Sequence, residues 1–509
     1  MILGYLEAGF LNVIQPLSIL GIVFGTTVGI FIGALPGLSS TMGIALLLPM
    51  TFGMDPGVGL PLLMAIYCGA MYGGSISAIL INTPGTAAAA ATCLDGYPMA
   101  QRGEAGKALG YSLVASVIGG QFSALVLLLV APPLSRISLL FGPPEYFSLA
   151  ILGLTLIGTV ASSSWIKGLI SGFLGLLISI VGMDPLTGKG RFAFGTVSLL
   201  SGVNVVVALI GVFSLAQAFF LMDHETIVDI KEIKGVKSIL PKIGELSKYW
   251  ATLLRSSIFG VIIGMIPGTG GDLATWVGYN EAKRASKHPE KFGTGIVEGV
   301  IASEAANNAV TGGSLTPVLT LGIPGSASTA VLMGGFLVHG LRPGPRFMVD
   351  NGDLAYTIII ALFFTNFVLL FLGILINRIG KYVADVKNDI LVPIIITLSI
   401  IGAYAMNNNI FDVWLMFFFG ILGYLMKKTN IPTSPLVIGL ILGPMAENGL
   451  LQSLLISRGS WWIFITKPLS GTLLALAALS LFSAINKDIK GRRLKRNQEI
   501  SSGNGISIE

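Results

Sequence analysis

Long uncharged stretches set the pattern of this chain. Between Ala8 and Leu94 the one charged residue is Asp55, and Ala108–Ser135, Thr196–Met222 and Tyr356–Ile376 carry none. A helix needs about 20 apolar residues to cross the roughly 30 Å hydrocarbon layer, so the pattern predicts about ten to twelve membrane-spanning helices. The first apolar stretch runs into further hydrophobic sequence rather than toward a cleavage site, which predicts no removable signal peptide. Polar residues gather in two places. Residues 223–248 hold five lysines (231, 234, 237, 242, 248) and five acids (Asp223, Glu225, Asp229, Glu232, Glu245). Residues 487–509 are also polar and are expected to be disordered. The predicted organisation is a first membrane repeat over 1–222, a charged connector over 223–248, a second repeat with C-terminal helices over 249–486, and a basic tail over 487–509.

Composition supports that division. Of 509 residues 53% are hydrophobic and 11% charged, with a mean hydropathy of +0.82. Soluble domains carry about 25% charged residues, so a soluble multidomain enzyme is excluded. The 66 glycines, about 13% against a usual ~7%, suit close helix crossings and broken helices. The net charge of +6 is concentrated at the end of the chain, where Lys487, Lys490, Arg492, Arg493, Lys495 and Arg496 stand against Asp488. After a last apolar segment this predicts a cytoplasmic tail. The first sixteen residues lack Lys and Arg, which by the same rule places the N-terminus outside. No folded basic domain accompanies the tail, so nucleic acid is not an expected partner. Cys68 and Cys93 form no CxxC pair and are read as small packing residues.

The two halves resemble each other. Gly29, Gly33, Pro36 and Gly37 recur as Gly260, Gly264, Pro267 and Gly268, an offset of 231. Gly73-Gly74-Ser75 matches Gly312-Gly313-Ser314 at 239, and Thr83-Pro84-Gly85-Thr86 matches Ile323-Pro324-Gly325-Ser326 at 240. An internal duplication follows, expected in inverted orientation. The fold class is therefore an all-α polytopic membrane protein built from two repeats.

The shared feature is a Pro-Gly break inside an apolar segment. Proline lacks a backbone donor and clashes with the preceding turn, and glycine lifts the steric limit on the backbone. Each pair should end one half-helix and start another, and the freed backbone groups are tolerated only inside protein or beside a water-filled cavity. Ser39, Ser40 and Thr41 follow Pro36-Gly37, and Thr86 follows Pro84-Gly85. Thr269, Gly270, Gly271 and Asp272 follow Pro267-Gly268, and Ser326, Ser328 and Thr329 follow Pro324-Gly325. These are residues of helix starts. A helix start presents unpaired N–H groups and positive partial charge, an anion site that needs no Lys or Arg. In repeat-built transporters such starts meet near the membrane midplane. The expected substrate-binding residues are Pro36, Gly37, Ser39, Ser40, Thr41, Asn82, Thr83, Pro84, Gly85, Thr86, Gly268, Thr269, Gly270, Pro324, Gly325 and Ser326. The expected substrate is a small carboxylate. Asn82, just before the second break, reads equally as a coordinating amide or a cap.

Charges inside a membrane are costly and point to function. Asp272 follows a break directly. Glu298 and Glu304 are six residues apart, roughly 240° around a helix, so they do not share a face. Glu304, Asn307 and Asn308 do share one. A carboxylate with amide oxygens suits a hard cation or a proton, so Asp272, Glu304, Asn307 and Asn308 are the expected coupling-ion residues. Na⁺ or H⁺ is the ion, and no other cofactor or resident metal is expected.

Several strings together resemble one family. They are Pro36-Gly-Leu-Ser-Ser-Thr-Met-Gly-Ile-Ala-Leu-Leu-Leu-Pro49, Gly69-Ala-Met-Tyr-Gly-Gly-Ser through Asn82-Thr-Pro-Gly85, Asp95-Gly-Tyr-Pro98, Ser286-Lys-His-Pro-Glu-Lys-Phe-Gly293, Glu304-Ala-Ala-Asn-Asn308, Leu321-Gly-Ile-Pro-Gly-Ser326 and His339-Gly-Leu-Arg-Pro-Gly344. Over residues 10–480 the chain resembles the large membrane subunit of the tripartite tricarboxylate transporters. The resemblance implies a secondary carboxylate importer of the bacterial inner membrane with about twelve spans. It also implies two partners, a periplasmic solute-binding protein and a small membrane subunit of about four helices.

Other classes fit less well. A GxxxxGK[ST] phosphate loop is missing, because Thr187-Gly188-Lys189-Gly190 lacks the spacing and the hydroxyl. An intramembrane aspartyl protease needs a GxGD string, and Thr269-Gly270-Gly271-Asp272 misses it. His224, His288 and His339 lack zinc-ligand spacing. No enzymatic activity is expected. An anion channel or an intramembrane enzyme is the alternative, and uptake against a gradient separates channel from carrier. The Lys283, Arg284, Lys287 and Lys291 loop reads as a cytoplasmic basic loop.

Overall fold

Glycine rows determine how closely the first helices approach. In this computed structural model, which describes residues 2–160, 164–223, 240–378, 380 and 386–501, helix α1 (Ile2–Val13) precedes α2 (Pro16–Ala34), α3 (Ser40–Leu47) and α4 (Pro56–Ile81). A methyl group on Gly25 or Gly29 of α2 would lie 2.5 Å from the Leu62 or Ile66 carbonyl oxygen of α4. Backbones this close leave no room for any side chain, and small residues at such crossings are how helices associate without a hydrophobic drive from water. Asp55 opens α4, accepting from the Gly57 N–H at 2.7 Å, with Pro56 at the first helical position.

The chain continues through α5 (Ala90–Gln101), α6 (Ala105–Ser138), α7 (Pro143–Val160), α8 (Trp165–Ser179), α9 (Val205–Asp223, with a π turn at Ile210–Leu215) and α10 (Trp250–Met265). Then come α11 (Gly270–Ala285), α12 (Val297–Leu321), α13 (Ala327–Val338), α14 (Gly352–Asn377), α15 (Asn388–Asn407), α16 (Ile410–Lys428), α17 (Ser434–Ile456) and α18 (Pro468–Ser501). Among the described residues nine of these helices are long and apolar enough to cross a membrane, and the only strands are Gly182–Met183 and Gly190–Arg191. The protein is an all-α, multi-pass membrane protein.

The contacts divide it into two compact units, each drawing on both halves of the sequence. One comprises Met1–Leu140 with Asn204–Thr429, the other Phe141–Val203 with Asn430–Glu509. The first is organised around α4 and α12, whose residues are almost wholly buried. Against them pack α2, α6 and α10. In the second, α7 packs on α8, α17 and α18, α8 packs on α17, and a short hairpin pairs Gly182–Met183 with Gly190–Arg191. There Arg191 bonds Glu447 at 2.5 Å and stands 3.3 Å from Asp184. The Thr187 and Leu186 N–H groups donate to Asp184 and hold its carboxyl below the usual range.

Of the charged connector, residues 224–239 lie outside the described residues. At the other end, the backbone of α18 stays helical to Ser501, well into the segment expected to be disordered. Residues 502–509 lie outside the described ones.

Candidate functional site at the four chain breaks

The first and third breaks have the same backbone geometry. After α2, Leu35 turns to φ −82°, ψ 120° and its N–H donates to the Ile32 carbonyl. After α10, Ile266 takes φ −81°, ψ 119° and donates to Ile263. Pro36 and Pro267 follow, and the next residues, Gly37 and Gly268, have φ of +84° and +82°, a region open to glycine at little cost. The second and fourth breaks match each other too. Asn82 (φ 54°, ψ 24°) ends α4 and Gly322 (φ 72°, ψ 25°) ends α12, both left-handed. Asn82 is thus a C-cap, as Asn often is, and it is exposed.

The helix starts differ in their caps. The Ser39 side chain accepts from the Met42 N–H at 3.1 Å. Ser326 and Thr329 form a reciprocal capping box. Thr86 and Thr269 make no such bond. Thr269 turns its hydroxyl back to the Ile263 and Ile266 carbonyls, satisfying the end of α10 instead. After Pro84 the chain makes a 3₁₀ turn, Ala87–Ala89, before α5 begins.

The structure brings residues of all four breaks together. Ser40 and Thr41 share hydrogen bonds of 2.8 and 2.9 Å with Ser328, joining the first break to the fourth. The Gly268 N–H donates to the Gly325 carbonyl at 3.0 Å, joining the third to the fourth. A methyl group on Gly271 would lie 3.0 Å from Ala88 Cβ and 3.1 Å from Asn307 Oδ1, which brings in the second. Tyr67 and Met71 of α4 stand between them. Tyr67 shares a 3.1 Å bond with Ser314, and the Ser40 hydroxyl meets the Met71 sulfur at 3.7 Å. Pro36, Gly85, Thr86, Thr269, Pro324, Gly325 and Ser326 are buried here, and Ser39, Thr83, Pro84, Gly268 and Gly270 are half-buried. Gly37 and Asn82 are exposed.

The four candidate ion residues fall into different surroundings. Glu304 is fully buried and accepts from Thr92 of α5 and, at 3.0 Å, from Ser116 of α6. The Asn307 Nδ2 donates to the Met71 carbonyl at 3.0 Å, and Asn308 Nδ2 to the Glu304 carbonyl at 3.3 Å. The two amide oxygens are buried without a partner. Asp272 lies in the first turn of α11 and is exposed. Among the described residues no cluster of three His, Cys, Asp or Glu could hold a metal.

A family model described as "Tripartite tricarboxylate transporter TctA family" matches residues 19–438. The chain belongs to that family. An Agrobacterium vitis protein described as "Uncharacterized 52.8 kDa protein in TAR-I ttuC' 3'region" is 37% identical over 494 residues, 97% of this chain and 98% of the relative. A second, "Uncharacterized protein in TAR-II ttuC' 3'region" from the same organism, is 35% identical over 234 residues, 46% of this chain and 97% of its own length. No solved structure matches. Membership of the TctA family makes this chain a component of a tripartite tricarboxylate transporter, a system with further subunits.

Two strings that carry the family resemblance meet in the TctA structure. Asp95, fully buried, accepts from the N–H groups of Gly293, Gly295 and Ile296 at 3.0, 2.8 and 2.9 Å, and from the Tyr279 hydroxyl at 2.7 Å. Arg102 donates to the Thr294 and Gly295 carbonyls. The end of α5 is thereby tied to the loop between α11 and α12, a link with no signal in the sequence beyond the strings themselves. Losing the charge that three N–H groups share costs about 2–4 kcal/mol. Asp95→Asn should therefore lower the melting temperature in detergent by several degrees, with Tyr279→Phe costing less. Equal melting of Asp95→Asn and wild type would count against the tie.

The structure corrects one sequence alignment. Gly73 packs on the Ile30 carbonyl and Gly313 on that of Val261. Ile30 and Val261 are 231 apart, so Gly73 corresponds to Gly313, 240 further on, and Gly74 to Ser314. The Gly-Gly-Ser strings match by letter but are one residue out of step in space. Which glycine opposes the neighbouring carbonyl decides the register.

Proposed function

We propose that this protein is the large membrane subunit of an ion-gradient-driven importer of small di- and tricarboxylates. The substrate is delivered by a periplasmic binding protein, and a small membrane subunit of about four helices completes the complex. The inner membrane is the location, with the C-terminal tail cytoplasmic. The observation that carries the reading is the meeting of four chain breaks, rich in N–H and hydroxyl donors, where the sequence has no Lys or Arg between residues 8 and 101, 256 and 282, or 292 and 341. Helix starts attract anions, each contributing about 0.3–2 kcal/mol depending on burial. A carrier must also release its cargo, and several weak dipoles suit that better than one tight ion pair.

The matched geometry of the breaks supports an internal repeat, and inverted orientation would set the two pairs of breaks against each other at mid-membrane. The substrate-binding residues remain those of the four breaks, centred on Ser40, Thr41, Thr86, Gly268, Gly325 and Ser326. Asp272, Asn307 and Asn308, with open oxygens, and Glu304, already held by hydroxyls, are assigned to the coupling ion.

The test is uptake of labelled di- and tricarboxylates into proteoliposomes holding both membrane subunits, with the binding protein outside. Accumulation above the external concentration under an imposed Na⁺ or H⁺ gradient is expected. Equilibration without accumulation would favour a channel.

A further inference from the structure

A lysine stands beside the first chain break. Gln217 of α9 is buried, and its side-chain amide reaches in two directions. The Nε2 donates to the Gly37 carbonyl at 2.6 Å, and the Oε1 accepts from the Lys427 Nζ of α16. Chemistry permits only this orientation of the amide, because an ammonium only donates and a carbonyl only accepts. Lys427 also lies over the Phe220 ring, 3.8 Å from its centre, where the ring face attracts a cation. Gln217 and Phe220 are three residues apart and share a helix face. They come directly after the π turn Ile210–Leu215, and such turns gather at functional sites.

The ammonium held in this way has no anion. Among the described residues Lys427 forms no ion pair, whereas its neighbour Lys428 stands 3.4 Å from Asp223. Of the three donors on an ammonium, one goes to Gln217 and the ring covers one side, so a donor remains for a ligand. Lys427 and Gly37 are both exposed, so solvent reaches the break here. Gly268, the counterpart of Gly37, is half-buried and donates its N–H to Gly325. Lys427 and Lys428 end α16 beside Asp223, where the lysine-bearing connector starts. The positive-inside rule makes that end cytoplasmic.

We propose that Lys427 binds a carboxylate group of the substrate at the cytoplasmic mouth of the site, and that this contact favours di- and tricarboxylates over monocarboxylates. The inference rests on the carrier reading above and deepens it. The breaks offer dipoles to one carboxylate. Lys427, two hydrogen bonds away from Gly37, offers a full charge to a second carboxylate on the same molecule. A monocarboxylate has nothing to place there. A lysine pinned by an amide and a ring has given up rotamer freedom before the ligand arrives, so less entropy is lost on binding. Water at the mouth screens the pair, so the contact draws the substrate outward without holding it.

The experiment is thermal melting of the full-length protein in detergent, titrated at constant ionic strength with citrate, malate, succinate or acetate. At least one of the first three should raise the melting temperature of wild type, and acetate should raise it less. Lys427→Met keeps the stem over Phe220 and removes the charge. It should raise the half-saturating concentration of that di- or tricarboxylate about threefold to tenfold, between the worth of an exposed ion pair and of a charge-assisted hydrogen bond. Lys427→Arg should restore it. Should Lys427→Met not fold, Lys427→Gln replaces it, because an amide still bonds Gln217 without carrying charge. A lysine that only anchors α16 on α9 would give Lys427→Met a lower melting temperature and an unchanged half-saturating concentration, and that result overturns the site. Equal stabilisation by acetate and the polycarboxylates, or none by any of them, also overturns it. Uptake in proteoliposomes keeps the carrier reading separate. Wild-type saturation and selectivity in Lys427→Met would overturn the site and leave the carrier standing. Failure of wild type to accumulate any carboxylate would overturn the carrier, and the melting series would still decide whether Lys427 binds anions.

Discussion

Asp272→Asn is expected to reduce carboxylate uptake about 100-fold or more while leaving the melting temperature nearly unchanged. Asp272 is exposed in the first turn of α11, and among the described residues it makes no ion pair, so its charge contributes to the resting fold only about 0.3–1 kcal/mol through the helix start. Under the proposed assignment the charge serves the bound ion instead. The corresponding residue of the other half is Thr41, which shares a hydrogen bond with Ser328. Asp272→Thr would therefore make the two sides alike and should fail in the same way. Uptake in proteoliposomes and melting in detergent read the two effects separately. A variant that melts earlier and transports normally would make Asp272 a structural residue.

Gly85→Ala and Gly325→Ala should abolish both folding yield and uptake. A methyl group at Gly85 would overlap the Gly33 carbonyl oxygen, and one at Gly325 that of Gly264. Both obstacles are backbone, which cannot rotate away as a side chain can. Overpacking typically costs about 1–3 kcal/mol and more where the backbone must move. Gly37→Ala is the control. Its neighbours begin 3.6 Å away, so its penalty is the strain of φ +84°, about 1–2 kcal/mol. It should fold and lose part of its transport. Monodispersity in size-exclusion chromatography, followed by uptake, distinguishes the cases. Wild-type behaviour of Gly85→Ala would show that the break is not closely packed.

Much of this molecule is legible in its hydropathy. The uncharged runs announce spans, and among the described residues nine helices of sufficient length follow them. Pro-Gly pairs mark the interruptions, because a missing donor and a missing Cβ act on the nearest turn whatever surrounds it. The caps were less legible. Ser39, Thr86, Thr269 and Ser326 look equivalent as letters, yet two cap their helices and two do not. Thr269 finds a nearer acceptor in the end of α10, and that choice depends on how the chain turns at Gly268. The Gly-Gly-Ser strings illustrate the same limit, since identity of letters does not specify which face meets a neighbour.

The sequence by itself determined the membrane class, the family resemblance, the places where helices break and the charged residues that fall within apolar stretches. These follow from local chemistry, because hydropathy, proline and glycine act over a few residues. Only the tertiary structure decided which polar atoms are satisfied. Glu304 is held by Thr92 and Ser116, 212 and 188 residues away in the chain, Asp95 is spent on a distant loop, and Thr86 and Asn307 are left with open oxygens. Whether a buried oxygen has a partner is a property of helices that meet in space, and no local pattern records it.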